Sequence, residues 1–365
     1  MYYNNAHIKV KGLFLLIHIC CSVDSHFFIK QLQQEFPTEK FIGFFYDPNI
    51  HPYSEYLLRL NDAKYSCEIL GIELIEGEYD LNSWLDKVRG LENEPEKGDR
   101  CTVCFDDRLE KTALLANKLG KAKFTTTLLV SPKKSQDKLQ IIGNNLATKF
   151  NLEFIFRDFR VNGGGISQSE EVKSNNLYRQ DYCGCMFALT AQRNYQERLL
   201  DELMSPINKQ ILPNSIEQRL EFYETRDNLA IFTKEQFLNF RLLNASVTHN
   251  KKVIPSYFLT YSHLNKKSQK CKIETQKNDI FYANKDGIKF LTIATFNILA
   301  KTNYNSVLEL YFNAPKFEAE CKIRQMIQSF SNSNSPIIVL DEIFFDNYEI
   351  FVDSKIYTDT IVVAL

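Results

Sequence analysis

The fold of this chain is decided near its start, by residues 14–25, which read FLLIHICCSVDS. The apolar run Phe14–Ile19 is typical of a buried strand, and it ends at two adjacent thiols, Cys20 and Cys21. Small and acidic residues follow and can open a helix. Because ligands of open α/β sheets bind beyond the carboxyl ends of the strands, this stretch predicts chemistry at a strand end. Adjacent cysteines rarely form a disulfide with each other without strain. We therefore favour a role for both thiols as ligands, either to one cofactor or to two neighbouring metals.

The composition is that of a globular protein with room for two domains. The chain has 365 residues, of which 44% are hydrophobic, enough to bury a sizeable core. Residues 1–11 are polar and contain no signal peptide, and no apolar run is long enough to cross a bilayer. We therefore expect a cytoplasmic protein without membrane contact, whose nine cysteines are metal ligands, catalytic groups or buried thiols and not a disulfide framework. The net charge is -1, so the charge of the protein as a whole argues neither for nor against binding to a polyanion. Any contact with a polyanion must come from a local basic face.

Strands and helices alternate through the first half of the sequence. Buried strands are predicted at residues 14–19, 41–46, 72–75, 123–130 and 152–156, with helical patterns between them. This succession predicts an α/β fold with a doubly wound, mostly parallel sheet.

The second half has a different pattern. Residues 190–243 are charged and predicted helical, and short alternating runs after Lys252 predict strands. We therefore expect two domains, with the chemistry in residues 1–190 and an accessory α+β domain of unassigned role in residues 191–365.

Four cysteines form a candidate metal site. Cys101 and Cys104 make a C-x-x-C pair at the start of a predicted helix, where the first-turn amides favour thiolate over thiol. Alone, this pair fits a zinc knuckle or a thioredoxin-like dithiol. With Cys20 and Cys21 it supplies four thiolates, which suit an iron-sulfur cluster or a tetrahedral zinc. Vicinal cysteines fit zinc knuckles poorly, whereas neighbouring thiols can reach different irons, so the pattern favours a cluster.

Three further residues carry candidate chemistry. Asp24 lies three residues beyond Cys21 and can bind an additional iron, donate a proton or cap the following helix. Cys183 and Cys185 flank a glycine, and such a pair can close a strained, labile disulfide suited to redox chemistry. The alternatives for this pair are further cluster ligands or inert thiols. Because the four cysteines of the candidate metal site already supply four ligands, a role as further ligands is disfavoured.

Six blocks of sequence occur in order between Leu15 and Phe187. They are His18 to Cys21; Tyr46 to Pro52 with Glu55, Tyr56 and Arg59; Gly98 to Leu109; Thr126 to Lys133; Asp158 to Arg160; and Tyr178 to Cys185. Together they closely resemble the QueH-type epoxyqueuosine reductases, which act in tRNA queuosine biosynthesis without cobalamin. Residues beyond about Thr190 lie outside the resemblance.

The resemblance implies reduction of the epoxide of epoxyqueuosine, at the wobble position of a tRNA anticodon, to the alkene of queuosine. It implies that the ligands of a 4Fe-4S cluster are Cys20, Cys21, Cys101 and Cys104, and that the redox-active pair is Cys183 with Cys185. Asp24 stands where family members carry cysteine or aspartate, which allows it to bind an additional mononuclear iron or to act in catalysis. The resemblance names neither the electron donor nor the oligomeric state.

Basic residues near the predicted strand ends are candidates for phosphate contacts with tRNA. They are Arg100, Arg108, Lys133, Arg160 and Arg179. Each alone is typical of a solvated surface charge, but together they could line a path for an anticodon loop, whose unstacked base can be splayed into a pocket. Asp24, Tyr182, His18 and His51 are candidate proton donors, although a structural role is favoured for both histidines.

Two other functions fit parts of the sequence. Residues 21–25, CSVDS, stand where ATP pyrophosphatases of tRNA thiolation carry a glycine-rich S-G-G-x-D-S loop, which favours a related HUP or PP-loop-like fold. The glycines that admit phosphate are missing, which disfavours ATP use. The second alternative is a zinc-stabilised RNA-binding protein without catalysis.

Overall fold

The computed structural model describes residues 14–120, 122–132, 134–161, 163–226, 230–328 and 333–364. The chain divides into two compact units, one of residues 1–200 with 219–229 and one of residues 201–218 with 230–365. Lys133, a predicted substrate-binding residue, lies outside the described residues. None of the helices described is both long and apolar enough to cross a bilayer.

A parallel sheet forms the centre of the first unit. Its strands are β1 (Phe14–Ile19), β2 (Lys40–Phe45), β3 (Glu73–Glu76), β4 (Lys123–Thr126) and β5 (Glu153–Phe154). They pair in parallel in the order β3-β2-β1-β4-β5. The structure therefore confirms the predicted α/β fold with a mostly parallel sheet. Every residue of the central strand β1 is buried, so the two thiols that follow it leave the middle of the sheet at its carboxyl edge.

Helices cover the sheet and connect its strands. They are α1 (Ser22–Glu35), α2 (Tyr53–Ile69), α3 (Leu81–Lys87), α4 (Asp99–Lys118), α5 (Gln136–Phe150), α6 (Gly164–Ser174) and α7 (Met186–Tyr195), followed by α8 (Ile216–Glu224). Phe28 of α1, Leu109 of α4 and Phe124 of β4 are fully buried in one core cluster. Burial of each such side chain contributes about 1.5–3 kcal/mol to folding. Cys67 lies in the same core at 1% exposure.

The fourth strand is shorter than predicted. Residues 123–130 were expected to form one strand, but Thr127–Val130 is a 3₁₀ helix. The Thr126 hydroxyl accepts a hydrogen bond from the N–H of Leu128 at 3.2 Å, and this side-chain cap starts the turn. The apolar run Leu128–Val130 is still buried, which is why its composition resembled a strand.

A mixed sheet forms the second unit. Its strands are β6 (Phe232–His249), β7 (Lys252–Ile254), β8 (Tyr257–Phe258), β9 (Ser268–Lys277), β10 (Ile280–Ala283), β11 (Lys289–Thr292), β12 (Ile337–Leu340) and β13 (Asn347–Ala364), and the helices are α9 (Ile293–Ala300), α10 (Val307–Phe312) and α11 (Phe317–Ile327). The strand order is β7-β6-β13-β9-β10-β11-β12-β8. Only the β11–β12 pairing is parallel among the pairs described. This agrees with the expected α+β class.

The prediction of a helix up to residue 243 was wrong. Residues from Phe232 onward form β6, which pairs with β13 from Phe232↔Ala364 to His249↔Tyr348. The many charged residues of this segment are compatible with a helix, but pairing along the whole length of a second strand overrides that weak local preference.

Candidate active site

The end of β1 gathers two thiols and a carboxylate. The Sγ atoms of Cys20 and Cys21 lie 3.7 Å apart, and Cys20 Sγ lies 3.6 Å from Oδ2 of Asp24. Among the described residues, these three form the one set of His, Cys, Asp or Glu donors whose ligand atoms all lie within 4.8 Å of one another. Because β1 ends at Ile19 and α1 begins at Ser22, the strand-to-helix turn itself brings them together. Two thiolates and a carboxylate in this geometry are a set of donors suited to a metal.

Asp24 is held by a side chain from α6. Gln168 Nε2 donates to Oδ1 of Asp24 at 2.8 Å and to the carbonyl of Val23 at 3.2 Å. The N-cap of α1 is Cys21, and no side chain caps this helix, so Asp24 does not have the capping role that its sequence position allowed. Burial raises the pKa of Asp24 above its ordinary value, against the opposing effect of the Gln168 hydrogen bond.

The C-x-x-C pair lies in the first turn of α4. Cys101 is half-buried, and its Sγ accepts a hydrogen bond from the N–H of Lys97 at 3.3 Å. Cys104 is buried in a cluster with Trp84 and Cys185. The structure thus gives the two predicted ligand pairs different settings, one at a strand end and one in a helical turn.

Arg108 connects the two pairs of cysteines. Burial alone would lower the pKa of Arg108. The charge of Asp47 has the opposite effect, and the Cys104 and Cys20 thiols add to it. Together they raise the pKa of Arg108 above its ordinary value. The guanidinium also pairs with Asp47, and its Nε donates to Nε2 of His18 at 3.2 Å. One buried cation therefore faces a thiol from each pair.

Lys134 is a second cation beside the thiols. Burial would lower its pKa, but the Cys183 and Cys101 thiols raise it. Thiolates bound to a metal in a buried place would need compensating charge, and Arg108 and Lys134 are cations close to thiols of both pairs. Cysteine thiolates are the ligands of iron-sulfur clusters. Among the described residues, however, Cys101 and Cys104 are not part of the close set that Cys20, Cys21 and Asp24 form.

The Cys183–Cys185 segment forms a tight loop before α7. Gly184 has φ +100, and a Cβ at this position would lie 2.8 Å from Cγ1 of Ile50. Glycine is therefore required between the two thiols. A hydrogen bond from Cys185 lowers the pKa of Cys183 to about 5, and Lys134 also favours its thiolate. The same hydrogen bond raises the pKa of Cys185 far above its ordinary value, so Cys183 is the more acidic thiol of the pair.

Thiols from two of these groups line one cavity. Cys20, Cys21, Asp24 and Cys183 all border a cavity of about 210 Å³. Further lining side chains are Asp47, Lys134, Gln168, Arg179, Gln180 and Tyr182. Cys183 and the vicinal cysteines therefore border the same small volume.

The predicted substrate-binding arginines fall into two groups. Arg100 and Arg108 are buried, at 2% and 3% exposure. Nη1 of Arg100 donates to the carbonyls of Leu91, Glu92 and Glu94 at 2.7–3.0 Å, so this guanidinium orders the loop before α4 and does not face solvent.

Arg160 and Arg179 are more accessible. The guanidinium of Arg160 donates two hydrogen bonds to the carboxylate of Asp158, at 2.8 and 2.7 Å. Arg179 is exposed and lines the cavity, and its Nη1 lies 3.5 Å from Ser169 Oγ, the one hydrogen bond of its guanidinium among the described residues. Substrate binding by these two residues stays a prediction.

The candidate proton donors differ in their surroundings. His18 is fully buried, with Nδ1 2.8 Å from Oγ1 of Thr126. Burial, and after it Arg108, hold the pKa of His18 well below its ordinary value, so it is a neutral structural residue. The Tyr182 hydroxyl donates to the carbonyl of His51 at 2.7 Å, which occupies its proton.

Asp47, Gln168 and Gln180 line the cavity but were not selected from the sequence as site residues. Asp47 lies two residues beyond the end of β2, so the strand-end rule that selected Cys20 could also have found it. Gln180 lies in a block quoted for the resemblance, three residues before Cys183. Gln168 lies within α6, and no signal in the sequence distinguishes it from a surface glutamine.

Comparisons with known proteins identify the family of the chain. The family described as epoxyqueuosine reductase QueH matches residues 15–191. A Helicobacter pylori protein named epoxyqueuosine reductase QueH is 42% identical over 371 residues, covering 94% of this chain and 99% of that protein. A Histophilus somni protein of the same name is 36% identical over 185 residues, covering 50% of this chain and 75% of its own.

Likeness to solved structures is remote. The U34-tRNA thiolase NcsA from Methanococcus maripaludis, solved with its [4Fe-4S] cluster, superimposes with a TM-score of 0.32 at 13% identity, covering 60% of this chain and 74% of the thiolase. The sequence relationship is the decisive one, since it extends at 42% identity along nearly the whole chain. The chain therefore belongs to the epoxyqueuosine reductase QueH family.

Proposed function

We propose that this protein reduces epoxyqueuosine to queuosine at the wobble position of tRNA, as a cobalamin-independent oxidoreductase. The observation that carries the proposal is the cavity in which Cys20, Cys21, Asp24 and Cys183 meet, in a chain of the QueH family. In this cavity the Cys183 thiol lies beside the set of metal donors that Cys20, Cys21 and Asp24 form.

The metal centre is the first part of the proposal. Cys20, Cys21, Cys101 and Cys104 would hold a 4Fe-4S cluster, with Arg108 and Lys134 offsetting the thiolate charge. When bound, the cluster supplies electrons one at a time. Asp24 would either hold an additional mononuclear iron with Cys20 and Cys21 or hand a proton to the departing oxygen. Metal analysis of the Asp24→Asn variant distinguishes these roles, because the first alone predicts loss of iron.

The redox pair is the second part. Loss of an epoxide oxygen as water takes two electrons and two protons. Oxidation of the Cys183 and Cys185 thiols to a disulfide releases two electrons and two protons, so one epoxide and one dithiol give one alkene, one disulfide and one water. The thiolate character of Cys183 makes it the more reactive sulfur of the pair. An electron donor, still to be identified, must then reduce the disulfide.

The substrate is a tRNA whose anticodon loop approaches the cavity. Arg179 is the exposed cation at its edge, and we assign phosphate contacts to Arg179, Arg160 and Lys133. Arg100 and Arg108 act from within, since they order the loop before α4 and the cysteine site. Binding should weaken as salt rises, because phosphate contacts release counterions.

We further propose that residues 1–190 are the catalytic domain and residues 191–365 an accessory domain. The Histophilus somni relative supports this division, because its similarity is confined to 185 residues, half of this chain.

One experiment tests the reaction. Protein purified without oxygen and reconstituted with iron and sulfide is incubated with a chemical reductant and tRNA carrying epoxyqueuosine, and the digested nucleosides are weighed. We expect the modified nucleoside to lose the mass of one oxygen. An unchanged mass with a brown protein would contradict the reductase, and a colourless zinc protein would favour the zinc-stabilised RNA-binding alternative. ATP should have no effect, because the phosphate-binding glycines are missing.

A further inference from the structure

Asp47 and Gln180 both line the cavity, and each carries a buried oxygen with neither a hydrogen-bond nor an ion-pair partner among the described residues. These oxygens are Oδ2 of Asp47 and Oε1 of Gln180. Neither residue is a proposed cysteine ligand. A buried acceptor without a donor costs free energy, so such an oxygen on a residue that lines a cavity indicates a donor that arrives with the ligand.

Asp47 is fixed in place by its own loop and by Arg108. Its side chain is 1% exposed, and Arg108 pairs with Oδ1. This pairing leaves Oδ2 as the free oxygen. Burial raises the pKa of Asp47 to about 6, against the opposing effect of Arg108, so the carboxylate prevails at pH 7.5 and accepts hydrogen bonds without donating them.

Gln180 brings the second acceptor from the segment that precedes the redox pair. It lies three residues before Cys183, and both residues line the same cavity. A ligand that satisfies Oε1 of Gln180 is therefore held close to the reactive thiol.

The size of the cavity limits what can enter. A cavity of about 150 Å³ holds a benzene molecule, and this one measures about 210 Å³. It admits a small substituted ring but not a whole nucleotide. The epoxide-bearing ring of epoxyqueuosine carries hydroxyl groups, which are hydrogen-bond donors of the kind that the two free acceptors require.

We infer that Oδ2 of Asp47 and Oε1 of Gln180 accept hydrogen bonds from the hydroxyl groups of the epoxide-bearing ring and so select the modified nucleotide over an unmodified one. This inference rests on the proposed function and adds the source of its specificity. The two residues position the ring beside Cys183 and take no part in proton or electron transfer.

The test compares the affinity of the full chain, with its metal reconstituted, for two tRNAs at one salt concentration. One tRNA carries epoxyqueuosine and the other carries unmodified guanosine at the wobble position. The wild-type protein should prefer the modified tRNA. Asp47→Asn places an amide donor or a neutral oxygen at the site and should reduce that preference about tenfold to a hundredfold, whereas Gln180→Met should reduce it about threefold to tenfold.

Affinity for the unmodified tRNA should stay the same in both variants, as should the visible absorbance of the protein. Gln140→Met, an exposed position on α5, is the matched control and should leave the preference intact. If Asp47→Asn folds poorly because Arg108 loses its partner, the preference of Gln180→Met for the modified tRNA still tests the inference.

Two results would overturn the inference. They are equal binding of both tRNAs by the wild-type protein, and an unchanged preference in Gln180→Met. Turnover of the wild-type protein is measured separately, by the loss of oxygen from the modified nucleoside. If the wild-type protein reduces its substrate and the variants still prefer the modified tRNA, only the inference about Asp47 and Gln180 is refuted. A protein that does not reduce it refutes the proposed function.

Discussion

The N–H of His51 donates to the carbonyl oxygen of Gly184 at 2.9 Å. This bond joins the loop that follows β2 to the turn between Cys183 and Cys185. Nη2 of Arg59 adds a second connection, since it donates to the carbonyl of Tyr182 at 2.9 Å. The position of Cys183 therefore depends on contacts with a loop that is distant in sequence.

Gly184→Ala should uncouple the redox pair from its support. The added Cβ would lie 2.8 Å from Cγ1 of Ile50, at a φ of +100, and strain of this kind costs about 1–3 kcal/mol. We expect turnover to fall at least tenfold while the visible absorbance of the proposed cluster is retained. Gly71→Ala is the control, because Gly71 also has a positive φ but nothing within 4 Å of its Cβ position. Equal loss of turnover in both variants would contradict the prediction.

Substitutions of the cysteines should fall into two classes, distinguished by whether the protein keeps its visible absorbance. Cys101→Ser should abolish both the visible absorbance and turnover, because it removes a proposed cluster ligand. Cys185→Ser should retain the absorbance and lose turnover, because it removes only half of the redox pair. Cys67→Ala, a core thiol at 1% exposure, should keep both. If Cys185→Ser bleaches the protein as well, the division of roles among the thiols is wrong.

Asp62 should be a main determinant of the stability of the first unit. It is 1% exposed, accepts a hydrogen bond from the N–H of Tyr178 at 2.9 Å, and pairs with Arg226 and the Ser22 hydroxyl. Asp62→Ala leaves the Arg226 charge uncompensated, which costs about 3–5 kcal/mol.

Trp84 provides the measurement for this prediction. It is the single tryptophan of the chain and is 1% exposed, so its fluorescence during urea unfolding reports the first unit. Asp86→Ala removes an exposed partner of Arg89 and should change the free energy of unfolding by about 0–1 kcal/mol. Similar urea midpoints for the two variants would show that the Asp62 contacts contribute little.

Arg179 should contribute more to tRNA affinity than Arg160. Arg179 is exposed at the cavity with one weak contact, whereas Arg160 must first release Asp158. Arg179→Ala should lower the slope of log affinity against log salt by about 1, while the absorbance is unchanged. Arg89→Ala, a substitution at 78% exposure, serves as the control for loss of one surface charge. An unaltered slope in Arg179→Ala would remove this residue from the tRNA interface.

The sequence predicted the parts of the fold that local pattern determines. The buried run before Cys20 predicted β1, and the strand-end rule predicted the place of the vicinal cysteines. Thr127–Val130 was mistaken for strand because composition does not reveal the capping bond of Thr126. β6 was mistaken for helix because its partner, β13, lies more than a hundred residues later in the chain.

The sequence selected candidate sulfurs for the site but not the groups that surround them. Spacing and the family resemblance selected Cys20, Cys101 and Cys183 as candidates. Arg100 and Arg108 were predicted to bind substrate, since charge in a sequence does not show whether a guanidinium is buried. Only the three-dimensional structure shows that backbone carbonyls surround Arg100 and that Asp47 pairs with Arg108.

β13 is the last of the described strands, and it lies between β6 and β9 in the sheet of the second unit. During synthesis the ribosome therefore completes the other described strands of this sheet before residues 347–364 emerge. Until then β6 and β9 have no strand between them, and their unpaired edges are open to chaperones or to other chains. A premature stop codon before residue 347 would leave the sheet in two separate pieces, however complete the preceding sequence.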